Sequence, residues 1–251
     1  LGETFHTWLE RKPIQLTLLA TVAILIGGII QIVPTLLVKS NIPTITSVTP
    51  YTPLELEGRD LYIREGCVGC HSQMVRPFRS EVERYGEYAK AGEFVYDHPF
   101  LWGSKRTGPD LLRIGGKYSD SWHLNHMYDP QTTSSGSIMP SYSWLVLDKH
   151  DRSDTQAKME AMVTLGVPYT EEDITNAQAS MNEQASQIEK NLYTDPDFVK
   201  SYESDKKDAA ENGEDFIEMK DREIIAMIAY LQRLGTDIKI KETNEQLSEN
   251  K

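Results

Sequence analysis

A long uncharged run near the N-terminus constrains this chain more than any other feature. Residues 13–38 contain no Asp, Glu, Lys or Arg, and most of them are Leu, Ile, Val, Ala or Thr. As an α-helix, 26 residues at about 1.5 Å each extend roughly 39 Å, whereas the hydrocarbon layer of a bilayer is only about 30 Å thick. The sequence therefore predicts one membrane-spanning helix, which Pro34 would kink or end near its exit.

A cleaved signal peptide and a buried core helix are the alternatives for this run. A signal peptide has a shorter apolar region and a small-residue cleavage site, whereas this run leads into Lys39 without such a site. Arg11 and Lys12 precede the helix, and by the positive-inside rule they weakly favour a cytoplasmic N-terminus.

The two cysteines of the chain, Cys67 and Cys70, lie three positions apart and are followed by His71. This count excludes a disulfide framework and a four-cysteine zinc site. C-x-x-C-H is the attachment pattern of c-type haem, because two thiols on one turn reach the two vinyl groups of a porphyrin edge and the histidine follows beneath the iron. We therefore predict one covalent haem c with His71 as an iron ligand. Such attachment occurs on the outer face of bacterial cytoplasmic membranes, so the haem domain is expected in the periplasm.

An iron that only carries electrons needs a second axial ligand. Met139 lies in the loop SSGSIMPSY, residues 134–142, far enough beyond His71 to reach the other face of the ring. The alternative is a loop methionine that packs as ordinary apolar filler. Histidines that could compete with it for the iron are His98, His123, His126 and His150.

Two further residues are candidates for contacts with the cofactor. Pro109 belongs to a Gly-Pro-x-Leu string that resembles a turn of many c-type cytochromes. The resemblance implies that its carbonyl accepts a hydrogen bond from Nδ1 of His71 and fixes the ring; a plain turn is the alternative. Arg76 follows the haem motif closely, and arginine pairs well with carboxylates such as the haem propionates. An ordinary surface ion pair is the alternative for Arg76.

The net charge of −12 and the pI near 5.0 argue against nucleic acid as a partner. Residues 151–216 alone hold 16 acidic and 6 basic side chains. We interpret this segment as a solvated helical insertion in two pieces, broken near Pro168 and Pro196. A docking face for a basic partner such as a soluble cytochrome is the alternative.

Periodicity and composition divide the rest of the chain. Helices are predicted over residues 54–66, 119–128 and 221–235, the last with an apolar face and a glycine stop. The expected segments are a cytoplasmic flank (1–12), the membrane helix (13–38), a tether (39–53), a periplasmic cytochrome c domain (54–240, with the insertion at 151–216) and a polar tail (241–251).

Three strings carry a resemblance to a known family: CVGCHSQMVRP (67–77), WGSKRTGPDLLRIGGKYSDSWH (102–123) and SIMPSYSW (137–144). They resemble the mono-haem subunit II of cbb3-type cytochrome c oxidases. The likeness runs from the membrane helix to about residue 150 and resumes at 221–235. The long acidic insertion departs from the family's shorter pattern.

The resemblance implies an all-α cytochrome c domain on one transmembrane helix, with Met139 as the distal ligand. It also implies that Gly58 and Tyr62 pack against the last helix near Tyr230. A periplasmic c-type cytochrome subunit or a soluble cytochrome would donate electrons, and a catalytic haem–copper subunit would accept them and reduce oxygen. This chain would then be a non-catalytic electron-transfer subunit of an oxidoreductase, surrounded by membrane lipid at its single transmembrane helix.

Two other functions remain open at the level of sequence. One is a free-standing, membrane-tethered cytochrome that serves a different reductase. The other is a haem-based gas sensor, which needs an open or labile distal site and is disfavoured by Met139.

Overall fold

The structure is a computed structural model and describes residues 4–38 and 42–239. The chain divides into two compact units, Leu1–Thr44 and Ile45–Lys251. Residues 39–41 of the expected tether and the expected polar tail, 241–251, lie outside the described residues. Regular structure in the described part is helical, apart from a single bridge between Lys149 and Arg222. The all-α prediction is therefore confirmed.

The N-terminal unit consists of α1 (Phe5–Glu10) and α2 (Pro13–Leu37). Pro13 begins α2, where its missing N–H has no helical partner to lose. Within α2 the stretch Pro13–Thr35 is long and apolar enough to cross a membrane, and none of its apolar window is buried inside the structure. Helix α2 continues through Pro34 and ends three residues later at Leu37; this close to the C-terminus, the proline removes only one hydrogen bond of the last turns.

The core of the second unit is built on the crossing of α3 (Pro53–Arg64) and α12 (Glu223–Arg233). Thr52 caps α3, since its hydroxyl accepts from the Glu55 N–H while the Glu55 carboxylate accepts from the Thr52 N–H. The helices touch at Gly58, where a Cβ atom would overlap the backbone of α12 and lie 2.8 Å from Cβ of Tyr230. The ring centroids of Tyr62 and Tyr230 are 5.5 Å apart. Gly58 and Tyr62 thus pack near Tyr230, as the family resemblance implies.

Shorter helices connect this crossing to the loops. They are α4 (Arg79–Tyr85), α5 (Asp120–Tyr128), α6 (Pro130–Thr133) and α7 (Ser143–Leu147), with 3-10 turns at Cys67–Gly69, Ala91–Phe94 and Met219–Asp221. Ser119 caps α5 by accepting from the N–H of Trp122 at 3.2 Å. The helices predicted at 54–66, 119–128 and 221–235 are confirmed to within two residues at each end.

The acidic insertion folds into four helices, not two. They are α8 (Thr155–Thr164), α9 (Glu171–Thr175), α10 (Ala177–Leu192) and α11 (Pro196–Asn212). The chain does break around Pro168 and just before Pro196, as expected, but a further break at Asn176 separates α9 from α10. Pro196 stands at the first turn of α11, where proline is well tolerated.

The acidic insertion is exposed over most of its acidic side chains, as expected, but it also has a buried face. Helix α10 buries one face against α3 and α12. The residues of that face recur every three or four positions: Ala177, Met181, Ala185, Ile188 and Leu192. Most acidic side chains point to solvent, so the insertion is amphipathic, and its apolar stripe is part of the main core.

A buried carboxylate also joins the insertion to α3. Glu57 is 3% exposed and accepts hydrogen bonds from Thr155 at 2.6 Å and from Lys158 at 2.7 Å. Nε2 of His150 lies 3.5 Å from the same carboxylate. Burial opposes the ionisation of Glu57, but the bonds from His150, Lys158 and Thr155 outweigh it and lower its pKa to about 2.

Acid is therefore expected to weaken the contact between α3 and α8. Between pH 4.5 and 2 the unfolded chain binds a proton at Glu57 and the folded chain does not. The free energy of unfolding therefore decreases as the pH is lowered. From about pH 6 to about pH 3, wild type should lose about 2 kcal/mol more stability than Glu57→Gln, at about 1.4 kcal/mol for each pH unit below 4.5. Unfolding of the detergent-solubilised chain measures this, with the exposed Glu160→Gln as the matched control. Equal losses in wild type and Glu57→Gln would contradict the assignment.

Candidate haem site

The two thiols of the C-x-x-C-H motif lie on a single tight turn after α3. Gly66 has a φ of +70°, which ends the helical path and turns the chain into the 3-10 turn Cys67–Gly69. The carbonyl of Cys67 accepts from the N–H groups of Cys70 and His71 at 3.1 and 2.9 Å. Both cysteines are free, Cys67 buried and Cys70 exposed. Burial raises the pKa of Cys67 to about 12, so its thiol is neutral.

The imidazole of His71 is held from one side by the turn at residues 108–112. Nδ1 of His71 lies 2.8 Å from the carbonyl oxygen of Pro109, which is the contact predicted from the sequence. With the proton on Nδ1, Nε2 keeps its lone pair for a metal. In the part of the chain that the structure describes, no hydrogen bond to Nε2 is present. His71 is therefore oriented as an axial ligand would be.

Gly108 makes this close approach possible. A Cβ atom at Gly108 would lie 2.7 Å from Nδ1 and 2.8 Å from Nε2 of His71, inside van der Waals contact. Its N–H donates to the carbonyl of Cys70 at 3.0 Å, which keeps the turn against the motif. The sequence indicated the Gly-Pro turn, but the contact of this glycine with the ring was missed.

One residue of the motif, Cys67, lies in an apolar part of the core. Cys67 belongs to the main hydrophobic cluster. Half-buried apolar residues pack on that cluster and leave part of their surface open: Val68, Leu111, Tyr118, Met139 and Tyr142. An apolar surface beside two free thiols and an available imidazole nitrogen fits a haem, because a porphyrin is flat and apolar except at its carboxylates.

Met139 is held in a loop that is fastened to the end of α5. Its N–H donates to Oγ of Ser137 at 3.2 Å, and the N–H of Tyr142 donates to the carbonyl of Met127 at 2.8 Å. Ile138, the neighbouring residue, is 80% exposed, whereas Met139 packs against the cluster that contains Cys67. The loop thus turns Met139 and not Ile138 inward.

Three of the rival histidines have other surroundings. His150 is buried, and its Nδ1 accepts from Nε of Arg152 at 3.3 Å. His123 is 1% exposed, and burial lowers its pKa to about 4, so it is neutral. His98 is half-buried, and its carbonyl accepts from Arg59 at 3.1 Å.

The fourth rival, His126, has a hydrogen-bonded ring. Its Nδ1 lies 2.6 Å from the hydroxyl of Thr133, and its ring stacks on Trp122 with centroids 4.5 Å apart. Burial first, and then the neighbouring His71, lower the pKa of His126 below its ordinary value. His126 is therefore a neutral imidazole close to the site.

Arg76 binds a carboxylate of the chain itself. Its guanidinium forms an ion pair with Glu81, and its backbone N–H donates to the same carboxylate at 2.9 Å. The hydrogen bonds from Arg106 and Arg76 lower the pKa of Glu81 to about 2, with that of Arg106 the largest cause. A contact of Arg76 with a haem propionate stays a prediction, and it would require this guanidinium to share or release Glu81.

Sequence comparison agrees with the chemistry of the site. A family model described as cytochrome c oxidase, mono-heme subunit/FixO matches residues 6–238. The match includes the apolar helix, the C-x-x-C-H turn, the loop of Met139 and the acidic insertion. No curated protein matches the chain.

Proposed function

Because this chain belongs to the FixO family of mono-haem cytochrome c oxidase subunits, we propose that it relays electrons to a catalytic haem–copper subunit that reduces oxygen to water. Family membership makes it a one-haem, membrane-bound member of an oxidase complex, and α2 fits the membrane anchor. The observation that carries the proposal is the 2.8 Å contact between Nδ1 of His71 and Pro109, beside two free thiols.

Each residue of the site has a distinct role in this proposal. Cys67 and Cys70 would hold haem c through thioether bonds, and His71 and Met139 would be the axial ligands. Pro109 orients the imidazole by accepting its Nδ1 proton. A bound haem c supplies one-electron chemistry, because its iron alternates between the ferric and ferrous states. A methionine ligand in place of a second histidine raises the reduction potential.

The proposal puts the haem domain, residues 54–240, on the periplasmic side of a bacterial cytoplasmic membrane. Covalent haem attachment on that side and the positive charges of Arg11 and Lys12 before α2 support this orientation. The electron donor would be a second c-type cytochrome subunit or a soluble cytochrome. The acceptor would be the catalytic haem–copper subunit.

Purification of the native complex in mild detergent tests the proposal. We expect haem b, copper and cytochrome c oxidase activity to accompany this chain. If the chain emerges alone with only haem c, it is a free-standing tethered cytochrome. If the reduced wild-type chain binds carbon monoxide at its haem c, the distal site is open and a gas sensor replaces the electron carrier.

Replacement of Met139 is expected to open the distal site. In Met139→Ala the far-red absorption from sulfur–iron ligation should disappear, the reduced protein should bind carbon monoxide, and the reduction potential should fall. His126→Ala is the matched control, because it removes the rival ligand and should leave this absorption in place. Persistence of the absorption in Met139→Ala, or its absence from the ferric wild-type protein, would reject Met139 as the ligand.

A further inference from the structure

A buried carboxylate fastens the turn of Pro109 to the segment that follows His71. The side chain of Asp110 is 0% exposed. Its Oδ2 accepts from the hydroxyl of Ser72 at 2.6 Å and from the N–H of Met74 at 2.9 Å. Its Oδ1 accepts from the N–H of Leu112 at 2.9 Å. One carboxylate therefore binds both segments.

Two backbone hydrogen bonds join the same two segments as the Asp110 carboxylate. The N–H of Gly108 donates to the carbonyl of Cys70 at 3.0 Å, and the N–H of Leu111 donates to the carbonyl of Ser72 at 2.8 Å. The residues bound in this way flank His71 on one segment and Pro109 on the other. Weaker hydrogen bonding at Asp110 would therefore lengthen or weaken the hydrogen bond between His71 and Pro109.

Arg106 balances the buried charge and fixes the direction of the Ser72 hydroxyl. Its Nε donates to Oγ of Ser72 at 2.7 Å, so that this hydroxyl gives its own proton to Asp110. Its Nη2 donates to the carbonyl of Met74 at 2.9 Å, to Glu81 at 2.7 Å and to Asp110 at 3.4 Å. The carboxylate of Asp110 therefore meets donors from Ser72, Met74, Leu112 and Arg106.

We propose that Asp110 is a positioning residue that sets the strength of the hydrogen bond between His71 and Pro109. A stronger bond at Nδ1 makes the imidazole a more basic ligand and favours ferric iron, so Asp110 holds the reduction potential of the haem down. This inference rests on the proposed function, since it needs a haem on His71.

The test uses the full chain, loaded with haem in detergent. Two variants loosen the contact: Asp110→Asn, which replaces an acceptor oxygen by a donor, and Ser72→Ala, which changes no charge. Asp120→Asn is the matched control. Asp120 is also a buried carboxylate, and it accepts from Asn191 at 2.8 Å and Gln232 at 2.7 Å, away from both segments.

Two readouts report on the bond itself. Solvent exchange of the His71 Nδ1 proton, followed by NMR in the ferrous state, should be about tenfold faster in Asp110→Asn and Ser72→Ala, as for loss of part of a hydrogen bond. The midpoint potential should rise in Ser72→Ala, where no charge has been removed. Asp120→Asn should exchange at the wild-type rate.

Unchanged exchange and potential in Ser72→Ala and Asp110→Asn would overturn the inference. If Asp110→Asn does not fold, Ser72→Ala decides alone. Covalent haem content is measured first: a wild-type chain without it refutes the proposed function, whereas a loaded chain with unaltered exchange refutes only the role of Asp110.

Discussion

Replacing both Cys67 and Cys70 with alanine is expected to abolish covalent haem on this chain. No other cysteine is present, so no thiol remains to form a thioether. The single variants should each keep a haem bound through one thioether, at reduced yield. Mass spectrometry of the denatured chain measures the effect, because only a covalently bound haem adds its mass after denaturation.

Comparison with a control variant shows whether the double cysteine variant loses haem through missing thiols or through misfolding. Ser104→Ala, a change in an exposed loop of the same unit, is the control and should carry a full haem. The loss of covalent haem in the double variant should also end electron transfer through the subunit. Haem mass retained by the double variant would contradict attachment at these two residues.

Replacing Gly58 with alanine is expected to be the most destabilising single methyl addition in the core. The added Cβ would overlap the backbone carbonyl of Ala226 and crowd Tyr230, and a backbone cannot move aside as a flexible side chain can. Separating α3 from α12 would also open the contact of both helices with α10. We expect a loss of about 3 kcal/mol in the free energy of unfolding.

Gly27→Ala in α2 is the matched control for Gly58→Ala. Nothing lies within 4 Å of a Cβ at Gly27, and alanine is the better helix former. Its thermal unfolding midpoint should equal or exceed that of wild type. A Gly58→Ala protein as stable as wild type would show that α3 and α12 do not cross as closely as described.

Local signals made much of this architecture predictable. The uncharged run predicted α2, and the apolar spacing of Ile224, Ile228 and Leu231 predicted α12. The pattern at 119–128 left Ser119 and Asp120 as alternative caps of α5, and the structure has Ser119. The turn of Pro109 against His71 could be expected because a short motif encodes it.

Contacts between distant residues could not be predicted in the same way. The carboxylate of Asp110 reaches Ser72 across 38 positions, and nothing local marks that aspartate as buried. Its place between a proline and two leucines was the one available hint. Arg76 was matched with a propionate by chemistry alone, whereas the fold supplies it with Glu81.

The insertion shows how composition can obscure packing. Its charge balance dominated the interpretation, yet the apolar residues of α10 recur with helical spacing and join the main core. Since α10 packs on α3 and α12, removing residues 151–216 would expose the crossing of those helices as well as remove negative charge.

Rapid mixing of the fully reduced oxidase complex with oxygen tests the central claim most directly. If this chain relays electrons to the catalytic subunit, its haem c absorbance should shift from reduced to oxidised within the time of one turnover. Met139→Ala should slow that shift, whereas His126→Ala should not. If oxygen is consumed at the full rate while this haem c stays reduced, the chain does not lie on the electron path.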